Sequence, residues 1–481
     1  MIATLPFRDR TVAVLGLARS GLVAARALVA SGARVVAWDD GEKGRAAGEA
    51  AGLTLANLAT SEPLDWAALV MSPGIPLTHP APHPAAARAT AAGIEVIGDI
   101  ELLGRAGTGA GFLGITGTNG KSTTTALIGH ILAAAHRPSA VGGNLGIPAL
   151  SLPELGPDGQ YVIEMSSFQL DLIRTLRFGT AILLNVTPDH LDRHGDMAGY
   201  IAAKRRIFRN QVAGDTAILG VDDDHVRALA AELAQGPARL IRISAEGPVA
   251  GGVYVVDGRL IDHLDGAPGA VSASGPAAIM DLRPVPTLPG RHNWQNAAAA
   301  YAACRVAGVA PAEIAAAIAT YPGLPHRQEL VATLPGLRFV NDSKATNADA
   351  AAKALGCYER IYWIAGGLPK AGGIASLAPF FPRIAGAFLI GQASGEFAQT
   401  LDGRVPFTRS GDLASAIAQA TAAARRDGDA DGAADGRRDG AMDAVVLLSP
   451  ACASYDQFTS YEARGDAFRA LARKIVDEAS R

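Results

Sequence analysis

Short apolar runs rich in β-branched residues recur along the chain, and each leads into a glycine-containing turn and an alanine-rich stretch of helical composition. Parallel strands joined by crossover helices produce that order, because a parallel neighbour is reached only through a long return connection. The predicted class is therefore α/β throughout. Strands are expected at Thr11 to Leu15, Arg34 to Trp38, Gly111 to Ile115, Tyr161 to Ile163, Ala181 to Val186, Arg338 to Val340, Arg360 to Ile364 and Ala444 to Leu448. Open sheets of this kind bind ligands beyond the carboxyl ends of their strands, so the residues that follow each run are weighed first for chemistry.

The chain has 481 residues, and at about 150 residues per domain that length points to roughly three domains. Two seams interrupt the pattern: Gly98 to Gly111, ahead of a new strand, and Thr320 to Arg327, where two prolines break a helical run. The expected division is 1–100, 101–322 and 323–481. A formal net charge of −3 lacks the basic excess that draws nucleic acid or anionic lipid. No basic cluster precedes an apolar stretch at the start, and no run has the length and apolarity of a membrane span, so a cytoplasmic monomer is expected. Cys304, Cys357 and Cys452 are too few and too scattered for a disulfide framework or a zinc site. The Asp/Gly/Arg-rich segment from Arg425 to Asp443 has the composition of a solvated surface insertion.

The sharpest chemical signal is GFLGITGTNGKSTTTALIGHIL, Gly111 to Leu132. A strand runs into a glycine turn, and a helix follows with Leu127, Ile128, Ile131 and Leu132 on one side, which is the setting a phosphate loop requires. Amides freed by Gly117 and Gly120, with Thr118, Asn119 and Thr123 around them, can wrap a triphosphate. Lys121 can meet the outer phosphates and the Ser122 hydroxyl can ligate magnesium. The loop is a variant, since Ile115 stands where the usual pattern has its first glycine.

A second oxygen ligand for such a metal is offered by Glu164, which ends the apolar run in YVIEMSSFQL. The run AILLNV leads to His190, either a further ligand or an exposed loop imidazole. In MAGYIAAKRRIF, Lys204 shares a helical face with Ile201, Ile207 and Phe208, whereas Arg205 and Arg206 point more outward. Two readings of Lys204 stand: a stem that snorkels to water, or a buried amine of lowered pKa that stays neutral and reactive.

At the N-terminus VAVLGLARSG runs from strand to helix, and Asp39 ends the next strand, as in dinucleotide-binding folds. A nicotinamide-dependent oxidoreductase would fit this segment alone. Ala18 occupies the position of the second glycine, which weakens that fingerprint, and the later clusters would be left without a purpose.

GTNGKS, EMSSFQL, NVTPDHLDRH, AAKRRIF, LPGRHNWQNA, LPHRQE, NDSKATN and LLSPACASYDQF follow one another along nearly the whole chain. Together they resemble the Mur amide ligases of peptidoglycan synthesis, and the last two clusters resemble the members that add D-glutamate to UDP-N-acetylmuramoyl-L-alanine. The resemblance implies a Rossmann-like N-terminal domain for the uridine nucleotide, a central P-loop ATPase domain and a Rossmann-like C-terminal domain for the amino acid. It implies ATP and Mg2+, with Lys204 carbamylated so that it helps Ser122, Glu164 and His190 hold the metal. It places Arg19, Ser20, Asp39 and Gly74 at the uridine diphosphate, Asn144 and His190 towards the sugar-peptide, and Asn296, Arg327, Asp342 and Lys344 at ATP. Lys121, His190, Lys204 and Arg327 would carry the catalytic load.

For D-glutamate the resemblance implies Thr346, Lys370, Ser454, Tyr455 and Tyr461. Two positions depart from the family pattern, which commonly has phenylalanine at Tyr461 and leucine at Tyr455. Ser454, with Gln457 three residues on, also reads as the capping box of a helix. The proposed roles of His190, as proton acceptor or as substrate- and metal-positioning group, are equally open.

Overall fold

The structure is a computed structural model that describes residues 2–264, 276–370, 372–435 and 444–479. The chain forms two compact units, one of residues 1–283 with 291–321 and one of residues 284–290 with 322–481. The first unit carries two sheets. Its N-terminal sheet has five parallel strands, β1 (Thr11–Leu15), β2 (Arg34–Trp38), β3 (Thr54–Leu55), β4 (Ala68–Met71) and β5 (Val96–Ile97), in the order β3-β2-β1-β4-β5.

The second sheet of this unit contains β6 (Gly111–Thr116), β7 (Ser139–Gly143), β8 (Gln160–Glu164), β9 (Thr180–Leu183), β10 (Thr216–Gly220), β11 (Arg239–Ser244), β12 (Val253–Val256), β13 (Arg259–Asp262) and β14 (Ala277–Asp281). Their order is β14-β13-β12-β11-β10-β9-β6-β8-β7, parallel except for the two hairpin steps among β12, β13 and β14. All described residues of β9 and β10 are buried, as expected for strands covered on both faces. The order turns back around β6, so the loops after β6, β8 and β9 converge where such a sheet binds ligands.

The second unit holds a sheet of β15 (Glu329–Leu334), β16 (Leu337–Asn341), β17 (Arg360–Gly366), β18 (Ile384–Ile390), β19 (Phe407–Gly411) and β20 (Ala444–Leu448), ordered β15-β16-β20-β17-β18-β19. Only β15 runs antiparallel to its neighbour, β16. The α/β class with mainly parallel sheets thus holds in all three sheets.

Three expectations need correcting. The run Ala181 to Val186 leaves the ladder after Leu183, because Asn185 turns its side chain to the phosphate loop and accepts the Asn119 N–H at 2.8 Å. The predicted solvated insertion begins inside a helix, Leu413–Asp435, and Asp427 accepts a 2.6 Å hydrogen bond from the Tyr362 hydroxyl; residues 436–443 lie outside the described residues. Ser454 caps no helix: its carbonyl accepts from the Gln457 and Phe458 amides in a turn, and the helix begins at Tyr461. A capping box does form at Ser166 and Gln169, directly after β8.

The seam from Gly98 to Gly111 contains a buried joint. Glu101, 0% exposed on the helix Asp99–Arg105, accepts hydrogen bonds from the amides of Arg174, Thr175 and Leu176, from the Thr175 hydroxyl and from Arg105 Nε. Burial opposes its ionised form, yet the bonds from Thr175, Arg174 and Leu176 outweigh it and hold the carboxyl below its ordinary range. The helix follows β5 and residues 174–176 precede β9, so one carboxylate ties the two sheets of the first unit. Glu101→Ala strands three amides and leaves the Arg105 guanidinium with Glu95 alone, and should cost about 3–5 kcal/mol, read as a lowered urea midpoint of the first unit. An unchanged midpoint would show that the tie carries no stability.

Candidate active site

The phosphate loop is built as its composition requires. Gly117 and Gly120 have φ of +152° and +86°, and the helix Lys121–Ala134 starts on Gly120 without a side-chain cap. The positive end of the helix dipole therefore lies at the loop, where it favours an anion. A Cβ on Gly120 would come within 2.2 Å of Asn296 Oδ1, so glycine there serves both the turn and the approach of Asn296. Asn296 is buried on the helix Arg291–Val306 and donates to Asn293 Oδ1. Leu127, Ile128, Ile131 and Leu132 are buried, as their spacing predicted.

Two lysines meet at this loop. Lys121 Nζ donates to the carbonyls of Gly117 and Thr118 at 2.8 and 2.7 Å, and Lys204 Nζ donates to the same Gly117 oxygen at 2.9 Å. Lys204 is 1% exposed, with its amine 4.6 Å from the centre of the Tyr200 ring. Burial first, and the neighbouring Lys121 second, push it well below the ordinary lysine pKa, although Asp189 opposes them. Of the two readings of Lys204, the snorkelling stem is excluded: the amine points inward. Arg205 and Arg206 are outside, as the helical pattern implied.

Around Lys204 the rings form a stack. The Tyr200 hydroxyl lies 3.2 Å from Thr118 Oγ1, and its ring lies 5.4 Å from His194 and 6.5 Å from His190. His190 has φ of +52° in the turn after β9 and lies 4.9 Å from the Phe168 ring. Its Nε2 is 3.5 Å from Asp189 Oδ2, and it joins the other site residues through ring contacts. His194, unremarked in the sequence, is buried with Nε2 2.9 Å from Ser167 Oγ, and burial pushes it down to about 4. It therefore remains a neutral packing element at neutral pH.

Glu164 ends β8 and is 2% exposed. One of its oxygens accepts from Asn144 Nδ2 at 2.7 Å, while Oε2 is buried with no hydrogen-bond partner in the structure. Asn144 thus acts on Glu164, a contact its sequence position did not reveal. Among the described residues no three His, Cys, Asp or Glu side chains gather as a ready metal cage. A hard divalent cation on one or two oxygen ligands plus substrate phosphates needs none, and the orphaned Glu164 oxygen and the Ser122 hydroxyl suit that donor set.

In the N-terminal sheet the order reverses between β1 and β4, and the loops after both strands touch: Ser72 Oγ donates to the Gly16 carbonyl at 3.0 Å. Arg19 and Ser20 open the helix Arg19–Ala30, which has no side-chain cap. Asp39 spends its oxygens on the amides of Leu17 and Gly41, at 2.6 and 2.8 Å, and so shapes the glycine turn itself. No atom lies within 4 Å of a Cβ built on Gly74, so that backbone is open to approach.

In the second unit Asp342 follows β16, buried, accepting from the Ser449 hydroxyl at 2.8 Å and the Gln328 amide at 3.2 Å. Burial pushes it up to about 7, against the pull of Ser449, Gln328 and the Arg327 charge. Lys344 Nζ donates to the Tyr461 hydroxyl at 3.2 Å and lies 5.0 Å from that ring's centre. Ser454 is buried, Lys370 exposed, and Tyr455 is 72% exposed; the Thr346 amide donates to the Lys344 carbonyl. Sequence reasoning missed Arg464, which is buried and donates to the Ser343 hydroxyl and carbonyl and to the Cys452 carbonyl. Its place three residues after Tyr461 and four before Phe468, on one helical face, was the available signal.

A family model described as the Mur ligase middle domain matches residues 115–304. The chain is 52% identical to the UDP-N-acetylmuramoylalanine–D-glutamate ligase of Paramagnetospirillum magneticum, with 98% of each chain covered. It is 49% identical to the ligase of the same name from Caulobacter sp. strain K31, with 100% of each covered. Among solved structures, UDP-N-acetylmuramate-alanine ligase of Thermotoga maritima is similar in fold at 15% identity, with a TM-score of 0.53 over 98% of this chain and 99% of that one.

Because folding moves Asp342 from 3.8 up to about 7, the folded state holds this proton to higher pH than the unfolded chain does. Its contribution favours folding below the unfolded value and is lost as pH rises through about 7. The urea midpoint of the unliganded second unit should therefore fall between pH about 4 and about 7, and Asp342→Asn should flatten that part of the profile. Equal slopes in both proteins would show that Asp342 titrates normally.

Proposed function

The chain belongs to the Mur ligases, as one of the UDP-N-acetylmuramoylalanine–D-glutamate ligases, and from that premise we propose how its residues divide the reaction. The activity is ATP-dependent joining of D-glutamate to UDP-N-acetylmuramoyl-L-alanine in peptidoglycan precursor synthesis. The observation that carries the reading is the phosphate loop of Gly117 to Thr123 with two lysine amines on one of its carbonyls.

The muramoyl-alanine carboxylate attacks the γ-phosphorus of ATP, the bond to the β-bridging oxygen breaks, and ADP leaves. Lys121, freed from the Gly117 and Thr118 carbonyls, and the loop amides spread the charge that develops on the phosphoryl oxygens. The D-glutamate amine then attacks the acyl phosphate carbonyl, loses a proton, and expels phosphate as the amide forms. No protein nucleophile takes part. When bound, Mg2+ neutralises phosphate charge, and Ser122 and Glu164, with His190 and a modified Lys204, are the groups we assign to hold it.

Lys204 is assigned as a carbamate. Its amine is buried and its pKa is pushed well below the ordinary lysine value, which favours the neutral form that attacks CO2, releasing one proton and becoming an anionic oxygen donor. The uncompensated Glu164 Oε2 supports an anionic, cation-holding pocket at the strand ends. Asn296 is assigned to the adenine side, and Arg19, Ser20, Asp39, Gly74, Asn144 and His190 to the UDP-substrate. In the second unit we assign Arg327, Asp342 and Lys344 to the nucleotide, and Thr346, Lys370, Ser454, Tyr455 and Tyr461 to D-glutamate. We divide the chain functionally at 1–100, 101–322 and 323–481. No helix among the described residues is long and apolar enough to cross a membrane, and we place the reaction, by a monomer, in the cytoplasm.

Phosphate release from ATP and magnesium should require both UDP-N-acetylmuramoyl-L-alanine and D-glutamate. Equal release with L-glutamate would move the specificity, and release without either substrate would sink the ligase reading. Lys121→Ala should cost at least about 100-fold in kcat, as loss of a transition-state charge contact does. Lys204→Ala should nearly abolish turnover and recover in part with short carboxylic acids; near-normal turnover would refute the carbamate.

A further inference from the structure

We propose that Arg193 is a positioning residue that fixes the loop after β4 against the residues beside the phosphate loop. The inference rests on the reading above, in which that loop meets the UDP-substrate. Arg193 lies in the short helix Leu191–His194, beyond β9, yet its guanidinium reaches back to the N-terminal sheet. Nη1 donates to the Gly74 carbonyl at 2.8 Å and Nη2 to the Ile75 carbonyl at 3.1 Å. A planar fork with parallel donors can span two successive carbonyls, which a single ammonium cannot do.

The same guanidinium lies 4.5 Å from the centre of the Phe168 ring. Phe168 in turn stacks on His194 at 5.5 Å, His194 meets Tyr200, and Tyr200 meets Thr118 of the phosphate loop. Thr118 also closes on the start of the Arg193 segment, donating to the Thr187 carbonyl and accepting the Thr187 amide. The joint is tightly filled. The cavity lined by Ile75, Phe168, Leu172 and Arg193 has a volume of about 10 Å³, room for at most one water. A second contact supports it, because a Cβ on Gly195 would lie 3.3 Å from His79 Nε2.

The chemistry gives this joint its purpose. The two reactants rest on different sheets, and a carboxylate must be held in line with a phosphorus, where a misplacement of about 1 Å can cost about 100-fold. The open backbone at Gly74 is what Arg193 holds from behind, through its carbonyl. Loss of the fork therefore disturbs the UDP-substrate and leaves the nucleotide loop, whose own bonds do not include Arg193, in place.

Two measurements on Arg193→Ala and Arg193→Lys test the proposal. In turnover assays, Arg193→Ala should raise KM for UDP-N-acetylmuramoyl-L-alanine at least tenfold while KM for ATP changes less than twofold, and Arg193→Lys should recover only part of the loss. Hydrogen exchange, which needs no substrate, should show the Ile75 amide, bonded to the Ser72 carbonyl, exchanging at least tenfold faster in Arg193→Ala with an unchanged thermal midpoint. Unaltered exchange at residues 72–78 would overturn the proposal whatever the enzyme's substrate. Faster exchange in Arg193→Ala, together with a wild-type protein inactive on the UDP-substrate, would instead keep the joint and refute the reading of the loop's ligand.

Discussion

The carbonyl of Gly117 receives two amines, from Lys121 and Lys204, and the rest of the site follows from the fact that both cannot be charged there without penalty. Lys121 opens the helix after the loop and is only partly buried. Lys204 is sealed beneath it, where desolvation pushes its pKa well below the ordinary lysine value. The arrangement depends on Gly117, whose φ of +152° turns its carbonyl towards both side chains. Thr118 and Asn119 then bind the segment after β9, so loop, strand end and lysine helix form one connected object.

Much of the fold was legible because parallel sheets are written in a simple alternation. β1, β2 and β20 span the residues their apolar runs indicate, and the other expected strands differ mainly at their ends. Ends are where tertiary demands enter. The run after Leu183 has strand composition, but Asn185 and Thr187 are drawn out of the ladder by Asn119 and Thr118. Ser454 and Gln457 have the spacing of a capping box, yet Gln457 donates to the Gly411 carbonyl, which holds the segment as a turn.

The site was legible to the extent that its groups sit within one motif. Gly117 to Thr123 and the inward face of Lys204 could be read from neighbours a few residues away. Arg193 could not, because its partners lie 118 and 119 positions back on another sheet. Asn144 and Glu164, or Arg464 and Ser343, are likewise joined only by topology. Asp39 was legible as an acidic residue at a strand end, but its hydrogen bonds to the Leu17 and Gly41 amides across the glycine turn were not.

Burial acts on titratable groups in both units, pushing Lys204 down and Asp99 up in the first, and Arg464 down and Asp342 up in the second. In the first unit burial pushes Lys204 well below the ordinary lysine pKa, and Glu164 keeps a buried oxygen with no hydrogen-bond partner. A buried oxygen without a donor is costly, and a bound cation would satisfy it. In the second unit burial acts on an acid, and Asp342 retains its proton up to about 7 despite Arg327 nearby. With the Ser449 hydroxyl and the Gln328 amide as partners, Asp342 loses its proton as pH rises through about 7, and a cation or further donor brought beside it would move that loss to lower pH. Ionisation of Asp342 and the binding of any charged group beside it are therefore linked.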